Sequence, residues 1–222
     1  MSGNSRPVLS QQSGPHPALL TVVRRHLASA WRQPLADHNR GVFEQLSEWR
    51  QRAGIGRPLW LDSGCGTGRS AFQLALGNRD CLVIGVDQSA ARLERGSVRF
   101  PQLPDNLMLV RGECADLWRL MVQAGWRLER HFLLYPNPWP KPGHLLRRWH
   151  GHPVFPVLLQ LGGELELRSN WSVYPQEMAL ALEMTGKRPT VERWDPVTVL
   201  TDFEEKYRNS GHGLWRLTCC LN

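Results

Sequence analysis

Lysine is scarce in this chain of 222 residues: of 27 basic residues only Lys141, Lys187 and Lys206 are lysine, and the others are arginine. The formal net charge is +7, so the excess charge is almost wholly guanidinium, which forms forked hydrogen bonds to phosphate and stacks on bases. Two explanations fit that excess: a phosphate-bearing partner, or an arginine-rich genome with a solvated basic surface. Cysteine is too sparse and scattered to organise a fold. The five cysteines (Cys65, Cys81, Cys114, Cys219 and Cys220) form no C-x-x-C pair and do not cluster with histidine, so neither a disulfide framework nor a metal site is indicated. Long apolar runs are missing as well. No stretch approaches the ~18 apolar residues of a membrane helix, and "MSGNSRPVLSQQSGPHP" lacks the apolar centre of a signal peptide. These absences predict a soluble, cytoplasmic chain with no membrane partner, a monomer or weak homodimer.

A core is affordable, because 41% of the residues are hydrophobic and the length suits one principal domain. Residues 1–17 mix Ser, Gly, Gln and Pro without periodicity and read as a disordered tail. Residues 18–54 form a helical extension: "ALLTVVRRHLASAW" and "RGVFEQLSEWRQRAG" carry apolar residues at helical spacing, with Gly54 as a stop. From 55 to 222 the rhythm changes. "PLWLDSG", "CLVIGVD", "NLMLVRG", "RHFLLYP" and "GELELRS" are short apolar runs separated by stretches long enough for helices, which implies βαβ units. "TVERW", a helical "DFEEKYRNSG" and "HGLWRLTCCL" follow. The expected fold is α/β and Rossmann-like: a mostly parallel sheet, helices on both faces, and an antiparallel C-terminal edge.

The first βα turn reads "LDSGCGTGRS", with Gly64, Gly66 and Gly68 where missing side chains let backbone N–H groups approach a ligand. Its spacing is G-x-G-x-G rather than the dinucleotide G-x-G-x-x-G, the form typical of S-adenosylmethionine methyltransferases. Sterics of a tight turn would also use glycine. The second strand ends "VIGVDQS", putting Asp87, followed by Gln88, where a doubly wound sheet brings a carboxylate to the ribose hydroxyls; capping the next helix is its alternative role. Asp62, just before the loop, is placed for the methionine ammonium. Glu113 in "RGECADL" offers an acceptor to the adenine amino group, with the Cys114 backbone beside it, or simply a carboxylate favoured at a helix N-terminus.

"YPNPWPKPGH" follows the fourth strand and overhangs the position of the transferred methyl group. Proline stiffens it, Trp139 offers an apolar plane, Asn137 presents donors and an acceptor, and Lys141, Arg147 and Arg148 can meet phosphate. The alternative is a proline-rich surface loop.

With "LDSGCGTG" and "IGVDQS", the segments "PNPWPKPGHLLRRW" and "TDFEEKYRNSGHGLW" resemble the bacterial tRNA (guanine-N7)-methyltransferases over roughly residues 55–220. That family carries Pro-Asp-Pro-Trp-Pro-Lys after its fourth strand, and Thr-x-Phe-Glu followed by Gly-His-Gly near its end. The resemblance implies S-adenosylmethionine as cofactor and tRNA as partner. It assigns cofactor contact to Asp62, the glycine loop, Asp87 and Glu113, and substrate contact to Lys141 and to Thr201, Asp202, Phe203 and Glu204. Asn137 matches the family's active-site aspartate, and Asn170 an aspartate that faces the guanine. Both acidic positions are therefore amides here, and the basic run after the lysine is thinner.

Guanine N7 has a lone pair and no proton, so in-line transfer needs alignment rather than a general base. An amide at 137 stabilises the cationic product less than a carboxylate would. Three functions follow from the sequence: tRNA guanine-N7 methylation, methylation of an exocyclic amine or small heteroaromatic acceptor suggested by "NPW", and RNA binding without catalysis.

Overall fold

The computed structural model describes residues 5–222; residues 1–4 of the expected tail lie outside the described residues. Among the described residues seven strands, β1 (Leu59–Ser63), β2 (Leu82–Asp87), β3 (Leu107–Arg111), β4 (Arg130–Leu134), β5 (Glu164–Ser169), β6 (Thr190–Trp194) and β7 (Leu214–Cys220), form one sheet in the order β3-β2-β1-β4-β5-β7-β6. The first five pair in parallel, and β7 inserts antiparallel between β5 and β6. Every run read as a strand is one, and the antiparallel edge is present.

Strand side chains alternate between faces, and here both faces are covered. Leu59, Leu61, Leu82, Ile84, Val86 and Leu133 join one core. Packed into it are α1 (Leu19–Leu27), α2 (Asp37–Ala53), α5 (Cys114–Gln123), α6 (Phe155–Leu161) and α7 (Val173–Glu183). On the opposite face Trp60, Val83, Phe132 and Leu134 meet α3 (Arg69–Gly77), α4 (Ala90–Arg99) and α8 (Asp202–Asn209). Strands buried on both sides carry continuous apolar runs, which explains why the sequence shows runs rather than alternation. Leu19, Val23 and Leu46 of the two amino-terminal helices are fully buried, so residues 19–53 share the main core. Helix α2 ends where Gly54 adopts φ 113°.

The described part of the tail, residues 5–17, has no helix or strand, yet it is tied to the domain. Ser10 donates to the Pro140 carbonyl, Gln12 to Glu177, and the His16 amide also to Glu177.

One glycine sets how closely α4 approaches the glycine loop. A Cβ on Gly96 would lie 2.0 Å from the Thr67 carbonyl oxygen. Gly96→Ala should therefore force the helix off the loop and destabilise the protein by about 1–3 kcal/mol, lowering Tm by several degrees in a thermal melt. An unchanged Tm would mean that the helix backs away freely.

Candidate active site

Strand order reverses between β1 and β4, because β1 leads to a helix on one face and the chain after β4 to the other. A crevice opens there, beyond the carboxyl ends of the strands. It holds a cavity of about 900 Å³ whose lining includes Gly64, Asp87, Gln88, Glu113, Cys114 and Asn137. A smaller recess of about 250 Å³ is lined by Gly64, Gly66, Thr201, Asp202 and Phe203. Gly64, Arg92 and Phe203 border both.

The glycine loop is shaped by Asp87. Its Oδ2 accepts from the Gly66 amide at 2.9 Å and its Oδ1 from Ser89 at 2.8 Å, with Arg92 3.6 Å away. Gly64 and Gly66 take φ of 79° and 62°, and a Cβ on either would meet no protein atom within 4 Å. Their bare side thus faces open space that a ligand can enter. Gly68 differs: a Cβ there would meet Leu109 at 2.6 Å, so this glycine serves packing.

Asp62 lies beneath the loop, 1% exposed. Ser70 donates to its Oδ2 at 2.5 Å, while its Oδ1 is buried with no hydrogen-bond partner. Burial pushes this carboxyl up to about 7, the Ser70 hydrogen bond opposes the shift, and the neighbouring Asp87 charge adds to it. Asp62 itself lines neither cavity, and its orphaned oxygen lies buried beneath the loop that does. Glu113 is half-buried, and burial raises its carboxyl. Its amide donates to Asn39 Oδ1, and Asn39 Nδ2 donates to Asp116, joining α2 to the start of α5.

On the opposite wall stands the loop after β4. Tyr135 and Trp139 sit at φ 55° and 44°, a region costing side-chain-bearing residues on the order of 1–3 kcal/mol. Asn137 is exposed on the cavity lining. Arg147, also lining it, lies over the Trp139 ring at 4.7 Å, and His144 meets that ring edge-on. Tyr174, Tyr207, Trp149 and Phe203 make the remainder strongly aromatic.

Several expected residues are placed otherwise. Arg148 cannot meet phosphate: it is 0% exposed and ion-paired with Glu177. Glu204, expected at the target base, is buried and takes hydrogen bonds from Tyr135, Arg168, Trp194 and the Leu200 amide. Its own amide is capped by Thr201. Asp202 lines the recess but is held by Thr67, Arg69 and Arg99. Asn170 borders neither cavity and pairs with His212 at 3.2 Å. Lys141 is exposed and lines neither cavity. Trp31, His38, Asn39 and Tyr207 also line the large cavity, and none of them belongs to a motif that marks it in the sequence.

Among the described residues no group of His, Cys, Asp or Glu has metal-binding geometry, and no helix is long and apolar enough to cross a membrane. A family model described as "putative methyltransferase" matches residues 56–217. A tRNA (guanine-N(7)-)-methyltransferase of Bacillus cytotoxicus is 23% identical over 185 residues, covering 78% of this chain and 84% of that protein. The fold is similar to that of a 16S rRNA methyltransferase, with TM-score 0.58 and 16% identity over 85% of this chain and 94% of the other. It is also similar to a 16S rRNA (adenine(1408)-N(1))-methyltransferase from Catenulisporales acidiphilia solved with its cosubstrate S-adenosylmethionine. There the TM-score is 0.55 and the identity 21%, over 78% of this chain and 90% of that one. At such identities the solved structures establish fold alone.

The raised Asp62 carboxyl has a consequence for the ligand-free protein. Its contribution to stability is fully present below the unfolded value of about 4 and is lost as pH rises to the folded value, about 7. Asp62→Asn should therefore raise Tm relative to the parent at pH 8 and leave it nearly unchanged at pH 4. Equal shifts at both pH values would show that Asp62 does not titrate in this window.

Proposed function

We propose that this chain, which belongs to the putative methyltransferase family matched over residues 56–217, takes a methyl group from S-adenosylmethionine and transfers it to guanine N7 in tRNA. The residues at the β1/β4 crevice fit that donor. Gly64 and Gly66 leave room beside the backbone, and the free Oδ1 of Asp62 is a partner for the ammonium. Asp87 with Gln88 would hold the ribose, and Glu113 with the Cys114 backbone the adenine edge. Bound S-adenosylmethionine supplies an electrophilic methyl carbon on a sulfonium; the chain's own task is to bring a lone pair into line with it.

The distribution of carboxylates carries the acceptor assignment. Those lining the large cavity are Asp87, Glu113 and Asp116, all at the β2 end or the β3 to α5 junction. The wall after β4 offers amide, indole and guanidinium groups: Asn137, Trp139 and Arg147. A wall without a carboxylate base suits a ring nitrogen that has no proton to lose. Aromatic side chains can hold the purine by stacking, and Arg147 is placed to meet a flanking phosphate. The tRNA-modifying relative and the Pro-Asn-Pro-Trp-Pro-Lys segment favour guanine N7 over other ring nitrogens.

The test is to incubate the protein with labelled S-adenosylmethionine and total tRNA, then separately with ribosomal RNA, and to identify the methylated nucleoside by mass spectrometry. 7-Methylguanosine from tRNA is expected. A methylated adenosine, or label only in ribosomal RNA, would overturn the assignment. With tRNA as substrate, Asn137→Asp should raise kcat by about 10- to 100-fold, because a carboxylate stabilises the cationic product. Unchanged turnover would remove Asn137 from the acceptor's surroundings. Asp87→Ala should abolish cofactor binding measured by calorimetry, and retained affinity would count against the ribose role.

A further inference from the structure

The acceptor loop is gripped from behind by a buried polar hub. Arg148 Nε and Nη2 donate to the Trp139 carbonyl at 3.2 and 3.0 Å, and Nη2 reaches the Lys141 carbonyl at 3.4 Å. Between them, the Pro140 carbonyl accepts from Ser10 at 2.6 Å. Three successive carbonyls at the turn are thus held, directly after the left-handed Trp139. The other side of Arg148 is fixed on α7, where Nη1 meets Glu177 Oε2 at 2.5 Å. Glu177 also receives His150 Nε2 at 2.8 Å, the His16 amide at 2.8 Å and Gln12 Nε2 at 2.6 Å, while Gln12 Oε1 accepts from Arg148.

Both side chains of the central pair are fully buried. Burial opposes the Glu177 charge, but the hydrogen bonds and positive charge of His150, and then those of Arg148, outweigh it and hold the carboxyl at about 2. Burial pushes His150 down toward its neutral form.

A buried ion pair is a poor device for stability alone, since apolar residues of like volume do as well. Its forked geometry is suited to fixing direction. We infer that Arg148 and Glu177 are positioning residues: through the 139–141 carbonyls they set the orientation of Asn137 and Trp139, and residues 10–16 complete the hub. The wall that receives the methyl acceptor is thus partly built by the amino-terminal segment and α7, outside the glycine loop and its neighbours. The kinetic part of this inference rests on the function proposed above; the structural part does not.

Arg148→Lys tests it, because lysine keeps the charge opposite Glu177 and loses the forked grip on Trp139. Amide hydrogen exchange in residues 139–148 of the ligand-free protein should accelerate by about 10-fold or more while that of β1 and β2 is unchanged. S-adenosylmethionine affinity should stay within about twofold and kcat on tRNA fall by about 10- to 100-fold. The double variant Ser10→Ala, Gln12→Ala keeps the Arg148–Glu177 pair itself and should show the same pattern, more weakly, even where Arg148→Lys does not fold. Wild-type exchange rates in 139–148 for both variants would overturn the inference, as would acceleration spread evenly through the sheet. A parent protein inactive on tRNA, with accelerated exchange confined to 139–148 in the variants, would remove the guanine assignment and leave the positioning role standing.

Discussion

Reversal of strand order between β1 and β4 is the constraint from which the site follows. Neighbouring parallel strands whose connections leave to opposite faces cannot fill the space beyond their carboxyl ends. The glycine loop comes from the first of these strands and the proline-rich loop from the second, so the two loops face each other across the crevice without either having to travel. Asp87 reinforces this by accepting from the Gly66 amide, which ties the first loop to the adjacent strand. The remaining lining then depends on what packs over the crevice: α2 through Asn39 on one side and α8 through Phe203 on the other.

Polar groups inside the protein do the work of holding these covers in register. Glu204 draws together the start of α8, the acceptor loop at Tyr135 and strand β5 at Arg168, which also meets Glu166 at 2.6 Å. Ser63, at the end of β1, receives Trp118 Nε1 at 3.0 Å and lies 2.9 Å from His131, whose ring burial keeps neutral with a pKa of about 3. Each cluster joins two or more elements that hydrophobic contact alone would let slide. Removing one member of such a cluster leaves a charge or donor unmatched and destabilises the protein, whereas apolar residues of like volume could replace the whole; what the clusters add beyond such a replacement is orientation.

The fold was legible because its signals are local. Apolar runs such as "CLVIGVD" are short enough to be strands, and Gly54 ends α2 with the positive φ that glycine permits. The glycine-loop side of the crevice was legible for the same reason: strand, glycine loop and following carboxylate are consecutive in sequence or one crossover apart. The opposite side was less so. Glu204 and Arg148 have the residue types of substrate ligands, but their partners lie far away in sequence, at Tyr135, Arg168 and Glu177. Nothing near Arg148 distinguishes it from Arg147, yet one is fully buried and the other is exposed over Trp139. The amino-terminal segment hid its role similarly: Gln12 and Ser10 look like tail residues until Glu177 and Pro140 are seen beside them.

Charge accounting across the crevice bears on which acceptor suits the proposed reading. Methyl transfer from a sulfonium to a neutral ring nitrogen moves one positive charge from donor to acceptor. In the proposed reaction it would leave a region lined by Asp87 and Glu113 and arrive at a wall with Asn137 and Arg147. For an isolated heterocycle that displacement runs against the protein's own field, since an amide dipole compensates less than a carboxylate and a guanidinium repels the product. A nucleotide within an RNA chain brings its own phosphates, which neutralise Arg147 and place negative charge beside the methylated base. The same guanidinium then binds the substrate and ceases to oppose the product. On electrostatic grounds the amide at 137 is more compatible with a polyanionic substrate than with a small free acceptor, consistent with the arginine-rich composition of the chain.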